Sequence, residues 1–201
     1  MPLDFYSKAA DYWNSVDATV KGMLGGLSRV NKPDIAGSAS ILARFGPTRR
    51  SRALDCGAGI GRITKHLLLP RFETVDMVEM TAKFLQKFTP QQGVYDLIWI
   101  QWVIGHLTIP ATIEFLKRCI TEPNRSIIVL KDNVAPGSVA DFDEVDSSFM
   151  RTHEELLRVF REAGLRVLLD EKQTNLPPGL CPIYAFVLVP QRRRRGETNK
   201  L

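Results

Sequence analysis

The stretch from Ala53 to Arg62, ALDCGAGIGR, joins a short apolar run, an acid and a glycine-rich turn, and residues 63–69 continue it with helical spacing. Its alternate glycines are Gly57, Gly59 and Gly61. Because glycine lacks a Cβ, such a turn can be tight and can approach a ligand closely. Open α/β sheets bind their ligands at the carboxyl ends of parallel strands. The stretch therefore predicts a ligand-binding α/β domain.

A second strand that ends in an acid follows at Val75–Glu79, VDMVE, where a carboxylate could accept hydrogen bonds from the two hydroxyls of a ribose. The glycine spacing is G-x-G-x-G, which differs from the G-x-G-x-x-G of dinucleotide folds and disfavours an NAD-dependent oxidoreductase. With Leu54-Asp55 before it and Glu79 after it, the stretch resembles the first two motifs of Rossmann-like methyltransferases, which bind S-adenosyl-L-methionine. A structural glycine turn without a ligand is the alternative.

The composition is that of an ordinary globular protein of one domain. The 201 residues are 44% hydrophobic and 24% charged, and the length allows a sizeable core. No apolar run approaches the roughly 18 residues that a membrane helix needs. The first residues, Met1 to Ala10, lack the apolar core of a signal peptide. We therefore expect no membrane partner.

The cysteines and the charge bear on the cellular compartment. Cys56, Cys119 and Cys181 are odd in number and share no metal-like spacing, so we expect reduced thiols, no metal site and a location in nucleus and cytoplasm. Much of the net charge of +5 comes from Arg192–Arg195. Such a run is usually a solvated tail, so we expect no direct nucleic-acid partner; a nuclear-localisation role is the alternative.

Hydrophobic periodicity predicts a mostly parallel sheet with helices on both faces. Further strands are predicted at Tyr95–Ile100, Ile127–Leu130, Leu165–Leu169 and Ile183–Val189, the last two as an antiparallel hairpin at the sheet edge. Helices are predicted at Ile35–Phe45, after the glycine turn up to Pro70, at Ile113–Cys119 and at Thr152–Ala163.

The N-terminal region contains aromatic residues at mostly helical spacing, Phe5, Tyr6, Tyr12 and Trp13. A second helical stretch, VKGMLGGL, ends in a glycine pair that indicates a helix stop. This region could cap the core or form a lid over a cofactor. Periodicity alone favours the cap.

Several longer motifs resemble the protein N-terminal methyltransferases, and the resemblance runs from about Phe5 to Val189. The motifs are Met23–Gly26 (MLGG), Leu54–Thr64, Ile98–Leu107 (IWIQWVIGHL), Leu130–Asn133 (LKDN) and Asp143–Ser148 (DEVDSS). Members of that family methylate the α-amine of proteins that begin Xaa-Pro-Lys once the initiator methionine is removed.

The resemblance implies a Rossmann-like class I methyltransferase fold, S-adenosyl-L-methionine as the cofactor and Xaa-Pro-Lys N-terminal tails as partners. It also implies how one structural domain is organised along the chain. Residues 1–50 would form a helical lid, residues 51–190 the methyltransferase domain and residues 191–201 a basic, disordered tail. The oligomeric state is not indicated.

Methylation of an α-amine needs the neutral amine, which forms when the α-ammonium, with a pKa of ~7.7–8.0, loses a proton. A carboxylate and an imidazole at strand ends can accept that proton. Asp146 and His106 match the proton-accepting pair of the family. The alternative for His106 is a structural histidine whose ring nitrogens are hydrogen-bonded within the fold. The alternative for Asp146 is a helix N-cap, because Asp-Ser-Ser often opens a helix.

The resemblance also assigns substrate contacts. Trp102 would stack on the substrate proline, or would simply pack in the core. Asp143 and Ser148 would hold the substrate lysine, or would belong to a solvated acidic loop. Asn133 would hold the backbone of the first substrate residues, or would cap a turn.

The remaining assignments concern the cofactor and the lid. Gly57, Arg62, Glu79 and Gln101 should contact the cofactor; Glu79 stands where an aspartate is common in the family. The lid over the substrate and cofactor would include Tyr12, Trp13 and Leu24.

The chain departs from the family in two places. Only the 15 residues from Met80 to Val94 separate the second-strand acid from the next strand, where the family has a helix, a strand and a polar loop that seats the adenine. A crossover to a parallel strand takes a dozen or more residues, so one helix-strand unit is expected to be missing.

The second departure is Cys181, which stands where the family has a substrate-side tyrosine. Two hypotheses follow: an active methyltransferase with an abbreviated cofactor pocket, or a binding protein that captures Xaa-Pro-Lys tails without methylating them.

Overall fold

The computed structural model describes residues 4–79, 87–120 and 126–191 of the chain. Its central sheet contains six strands in the order β2-β1-β3-β4-β8-β7. Strands β1 to β4 are parallel, whereas β8 runs antiparallel between β4 and β7. The strands are β1 (Arg52–Cys56), β2 (Thr74–Val78), β3 (Leu97–Gln101), β4 (Ile127–Asn133), β7 (Leu165–Lys172) and β8 (Ile183–Pro190). A separate antiparallel hairpin consists of β5 (Asp141–Asp143) and β6 (Ser148–Met150).

The helices cover both faces of the sheet. They are α1 (Phe5–Ser15), α2 (Val20–Met23), α3 (Asn31–Phe45), α4 (Ile109–Cys119) and α5 (His153–Glu162), with a π-helix at Thr64–Leu68 and short 3₁₀ turns at Ser28–Val30 and Ile104–His106. On one face α4 and α5 pack against Ile98 and Ile100 of β3. On the other face α3 and the π-helix pack against Leu97 and Trp99. The predicted α/β sheet with helices on both faces is therefore confirmed.

Three helices begin at residues other than the predicted ones, because residues in or before their first turns set where they start. The α3 helix begins four residues before Ile35, because Pro33 lies in its first turn, where a missing N–H costs nothing. Thr108 caps α4 through a hydrogen bond from the Ala111 N–H. Thr152 does not belong to α5 but forms a capping box with Glu155.

The edge of the sheet at β2 has no further strand among the described residues. Residues 87–94 form neither helix nor strand, and residues 80–86, which belong to the same segment, lie outside the described residues. The side chain of Met77 on this edge strand is 46% exposed. The expected absence of one helix-strand unit falls partly on residues outside the described ranges and stays a prediction.

Helix α1 is fastened to the β5–β6 hairpin. The ring of Phe5 lies 6.2 Å from that of Phe142 and 5.6 Å from that of Phe149, and the Ser147 hydroxyl donates to the Phe5 carbonyl at 2.9 Å. Phe5 is buried, whereas Trp13, two turns further along, lines a cavity. The helix thus packs on the core at its first turn and lines the cavity with its last, and its role as a lid stays a prediction.

None of the helices in the described ranges is long and apolar enough to cross a membrane. The proposed lid, domain and tail boundaries stay predictions, and of the tail the structure describes only Gln191.

Candidate active site

A cavity of about 790 Å³ opens at the carboxyl ends of β1, β3 and β4, below α1 and beside the β5–β6 hairpin. Every residue that the sequence predicted for the site lines it: Tyr12, Trp13, Leu24, Gly57, Arg62, Glu79, Gln101, Trp102, His106, Asn133, Asp143, Asp146 and Ser148. Residues that span 136 positions of sequence therefore meet in one place. Their individual roles stay predictions.

The glycine turn leaves a cradle beside β1 that larger residues would fill. Gly57 has a φ of +74°, and a Cβ there would lie 2.8 Å from the side chain of Val103. Gly59 has a φ of +54°, and a Cβ there would lie 3.1 Å from the sulfur of Met23. Only glycine fits such positions without strain. The cradle gives a ligand close access to the backbone, as S-adenosyl-L-methionine would require.

Two acids border this cradle. Glu79 follows β2, and its carboxylate accepts a hydrogen bond from the Gly59 N–H. Asp55 at the end of β1 accepts a hydrogen bond from the Thr64 hydroxyl at 2.5 Å. Burial raises the pKa of Asp55 to about 6, against the lowering effect of the Thr64 hydrogen bonds. The negative side of the cradle suits hydroxyl or ammonium donors of a ligand.

Arg62 is a cation in the cavity wall. Its guanidinium lies 5.2 Å from the centre of the Trp102 ring and donates to Asp34 at 2.6 Å and to Asn31 at 3.2 Å. The side chain is only 6% exposed, so its charge acts in a largely water-free setting. A buried cation at this place can attract a carboxylate of a ligand.

Gln101 takes part in the same wall through its amide. Its Nε2 donates to Asp34 at 3.0 Å, and its Oε1 accepts from the indole N–H of Trp99 at 3.0 Å. Both ends of the amide are thus bonded to the protein. Gln101 fixes the orientation of Asp34 and, through it, of Arg62.

Asp34, which no sequence pattern pointed to, is fully buried and anchors this wall. Besides Arg62 and Gln101, its carboxylate accepts from the ammonium of Lys131, which in turn donates to Ser38 at 2.9 Å. Burial lowers the pKa of Lys131, and the Asp34 carboxylate opposes that effect. An acid within an amphipathic helix gives no sequence signal that distinguishes it from a solvated one.

Trp102 occupies an unusual backbone position directly after β3. Its φ of +52° lies in the left-handed region, which bulky residues rarely adopt. The indole lines the cavity, and its Nε1 is shielded from solvent without a hydrogen-bond partner among the described residues. Backbone strain and an unpartnered donor at one residue are typical of a functional position.

The β5–β6 hairpin carries the acidic wall of the cavity. Asp143 and Ser148 pair directly across the two strands, and the turn between them contains Asp146. Ser147, with a φ of +55°, sits in that tight turn. The alternative that Asp146 caps a helix is therefore wrong, because a turn and a strand follow it. Asp146 Oδ1 is shielded from solvent and has no partner among the described residues.

His106 lies beneath α1 with both ring nitrogens bonded. The indole N–H of Trp13 donates to its Nε2 at 2.9 Å, so Nδ1 carries the proton and donates to the Ser147 carbonyl at 3.2 Å. Burial lowers the pKa of His106, and the nearby Asp146 carboxylate opposes this. The imidazole is neutral near pH 7 and can accept a proton only after the Trp13 bond opens.

Asp132, one residue before the predicted Asn133, also lines the cavity and was missed. Its place at the end of β4 was a usable signal, because acids at the ends of parallel strands are frequent site residues. Within the described ranges, no group of three or more histidine, cysteine or acidic side chains could hold a metal ion.

The chain matches a family model over nearly its whole length. The model is described as an AdoMet dependent proline di-methyltransferase and matches residues 2–88 and 84–189. The two parts meet within the segment where a helix-strand unit is expected to be missing.

Relatives support the same family. The N-terminal Xaa-Pro-Lys N-methyltransferase 1 proteins of Mus musculus and Homo sapiens are each 47% identical over 213 aligned residues, which cover 92% of this chain and 95% of theirs. The protein of that name from Xenopus tropicalis is 44% identical over 214 residues. The aligned lengths exceed the 201 residues of this chain, so the relatives contain positions that it lacks.

Solved structures share the fold. A SAM-dependent methyltransferase from Leishmania major superposes with a TM-score of 0.86 at 35% identity, covering 92% of this chain and 82% of that one. Phosphoethanolamine N-methyltransferase 1 from Haemonchus contortus gives a TM-score of 0.70 at 15% identity, covering 98% of this chain and 50% of that one, which bears on the fold alone. The predicted Rossmann-like class I methyltransferase fold is confirmed.

Proposed function

Because this chain belongs to the AdoMet-dependent proline di-methyltransferase family, we propose that it methylates the free α-amine of proteins that begin Xaa-Pro-Lys once the initiator methionine is removed. The methyl donor is S-adenosyl-L-methionine, which supplies a methyl group on a positively charged sulfur. The observation that carries the proposal is the meeting of the cofactor, lid and substrate residues around one cavity of about 790 Å³.

The cofactor side would be formed by the glycine turn, Glu79 and Arg62. The cradle at Gly57 gives room for a ligand against the backbone, and Glu79 stands where it can accept hydrogen bonds from ribose hydroxyls. Arg62, buried in the wall, would attract the carboxylate of the cofactor. Gln101 acts here by holding Asp34, which orients Arg62.

The substrate side would be formed by Trp102 and the hairpin. A proline ring stacks well on the exposed face of an indole, and the Arg62 guanidinium above the Trp102 ring fixes its plane. Asp143 and Ser148, which pair across β5 and β6, would receive the substrate lysine. Asn133, exposed at the end of β4, would hold the backbone of the first substrate residues.

The reaction needs an acceptor for the α-ammonium proton. Asp146 offers the shielded, unpartnered Oδ1 that such a proton requires. His106 would join it only when the Trp13 indole releases Nε2. Tyr12, Trp13 and Leu24 line the cavity from the N-terminal region and would exclude water from the bound amine.

The test is methylation of a Ser-Pro-Lys-Arg peptide by the purified chain with S-adenosyl-L-methionine, followed by mass spectrometry. The proposal expects methyl groups on the α-amine and none on an N-acetylated peptide, which has no free amine. A folded protein that leaves the free-amine peptide unmodified would contradict it.

A second candidate is a protein that binds Xaa-Pro-Lys tails without methylating them. The observation that favours it is the β2 edge beside the cofactor cradle, which no other described strand covers and where Met77 is 46% exposed. The acidic hairpin and Trp102 do not depend on that edge. Calorimetry separates the two candidates, because a catalyst must bind S-adenosyl-L-methionine and a tail-binding protein need not.

A further inference from the structure

Two carboxylate oxygens in the cavity lack hydrogen-bond partners. They are Oδ2 of Asp132, at the end of β4, and Oδ1 of Asp146, in the β5–β6 turn, and both are shielded from solvent. Buried polar atoms are almost always hydrogen-bonded, so two unpaired acceptors of one sign in a single cavity indicate a missing donor. A ligand with several N–H groups and a positive charge fits this pair.

The other oxygen of Asp132 has a structural role that leaves Oδ2 free. Oδ1 accepts a hydrogen bond from the Asn133 N–H at 2.8 Å, which fixes the carboxylate. The carboxylate plane is thereby held, while Oδ2 makes no hydrogen bond with the described residues. The Ile104 N–H is near enough to lower the pKa of the carboxylate. A turn-forming role alone would need only Oδ1.

Arg151 is the cation whose charge lowers the pKa of Asp132. The two side chains nevertheless do not form an ion pair. Its guanidinium donates to the carbonyls of Ile104, at 2.8 Å, and Leu107, and no ion pair joins it to Asp132. The buried guanidinium holds the main chain before α4 instead. Asp132 is therefore only partly neutralised by its surroundings.

Among the titratable groups that line the same cavity as Asp132 are Asp146, Asp143 and His106. Burial and, to a smaller extent, the Asp146 carboxylate raise the pKa of Asp132 to about 7, against the lowering effects of the Asn133 N–H, Arg151 and the Ile104 N–H. An acceptor with a pKa near 7 is well matched to an α-ammonium, whose ordinary pKa is ~7.7–8.0. His106 is neutral and has no free nitrogen.

We propose that Asp132 is a second carboxylate of the amine site and that its Oδ2 accepts a hydrogen bond from one N–H of the substrate α-ammonium, while Asp146 accepts the proton that the amine loses. This inference rests on the proposed function, because it concerns the same α-amine. One N–H bond breaks, its electron pair stays on nitrogen as the lone pair, and one O–H bond forms on Asp146. The proton then leaves to solvent before the next amine binds.

The inference predicts proton release on binding, which can be measured without methyl transfer. About half of Asp132 is protonated at pH 7, and an incoming ammonium would displace that proton. Calorimetry of the Ser-Pro-Lys-Arg peptide in two buffers of different ionisation enthalpy should give a release of roughly a third to a half of a proton per peptide. The N-acetylated peptide should give none.

Asp132→Asn should abolish this release while the Asn133 N–H keeps its acceptor. Asp141→Asn is the matched control, because Asp141 is an exposed acid of β5 outside the cavity lining. It should release as much as the wild-type protein. Equal release by Asp132→Asn and wild type would overturn the inference.

The wild-type protein provides a second measurement that needs no variant. Its affinity for the free-amine peptide should rise about tenfold between about pH 5.5 and pH 7, and its affinity for the N-acetylated peptide should not. A flat profile for the free-amine peptide would overturn the inference even if Asp132→Asn fails to fold. If the peptide binds with proton release but is not methylated, the inference about Asp132 is supported and the proposed methyltransferase activity is contradicted. No binding of the free-amine peptide would overturn both.

Discussion

The indole Nε1 of Trp13 donates to Nε2 of His106 across 2.9 Å and joins helix α1 to the 3₁₀ turn after β3. The rings meet edge to face, with 5.9 Å between their centres. The same imidazole donates from Nδ1 to the Ser147 carbonyl, and the Ser147 hydroxyl donates to the Phe5 carbonyl. Helix α1, the 3₁₀ turn after β3 and the β5–β6 hairpin are thus joined through one neutral histidine.

Replacing Trp13 by Phe should raise the pKa of His106. The indole hydrogen bond stabilises the neutral imidazole, and its loss, worth about 0.5–1.5 kcal/mol, corresponds to roughly half to one pKa unit. An NMR titration of the histidine ring protons measures the change. His153, which pairs with Asp170, is present in the same spectra as an internal control. An unchanged His106 titration would show that the indole does not hold this nitrogen in solution.

Replacing Asp34 by Asn should lower the free energy of unfolding by about 3–5 kcal/mol, because it leaves the buried Lys131 and Arg62 without their counter-ion. Denaturant unfolding at neutral pH measures this. Ser38→Ala, which removes only a neutral partner of Lys131, is the matched control and should cost about 1 kcal/mol. Similar losses in both variants would contradict the anchoring role of Asp34.

The stability of the protein should depend on the charge of Asp132. Its pKa is raised to about 7 in the folded protein, above the ordinary value of an unfolded chain, so the folded state binds more protons between these values. Stability from this group is present below about pH 4 and is lost as the pH rises through about 7. Asp132→Asn, which stays neutral, should gain stability over wild type as the pH rises from about 5 to 8. A pH-independent difference in unfolding free energy would contradict the raised pKa.

Trp102 should set the preference for proline. Replacing it by Leu removes the stacking surface, which is worth about 0.5–1.5 kcal/mol, so kcat/KM for a Ser-Pro-Lys-Arg peptide should fall roughly two- to tenfold. A Ser-Ala-Lys-Arg peptide, which has no ring to stack, should lose much less. If kcat/KM falls equally for both peptides, Trp102 contributes to core packing and not to the recognition of proline.

Much of the fold was predictable because its signals are local. The apolar runs of β1, β3 and β4 predict buried parallel strands, and the glycine turn marks the carboxyl edge where the site lies. Site residues that follow strand ends, such as Trp102 and Asn133, could be placed together for that reason. The segment before β3 is long enough for one crossover and too short for an additional helix-strand unit, so the prediction that a unit is missing rests on length alone.

The rest depends on tertiary contacts that no local pattern encodes. Asp34 is an acid in an amphipathic helix, and only the packing of α3 on β4 shows that it neutralises Lys131. The sequence offers His106 as a proton acceptor, and only the position of α1 shows that Trp13 occupies its nitrogen. Asp132 is adjacent to the predicted Asn133. Only its unpartnered oxygen, which the structure shows, marks it as a candidate site residue.

The most direct test of the account is mass spectrometry of a Ser-Pro-Lys-Arg peptide after incubation with the purified chain and S-adenosyl-L-methionine, beside Asp146→Asn. The account predicts additions in steps of about 14 Da, the mass of one CH₂, on the α-amine, with the rate strongly reduced in the variant. Circular dichroism of both proteins establishes that they are folded. A folded wild-type chain that binds the peptide but adds no methyl group would contradict the account and leave a tail-binding protein in its place.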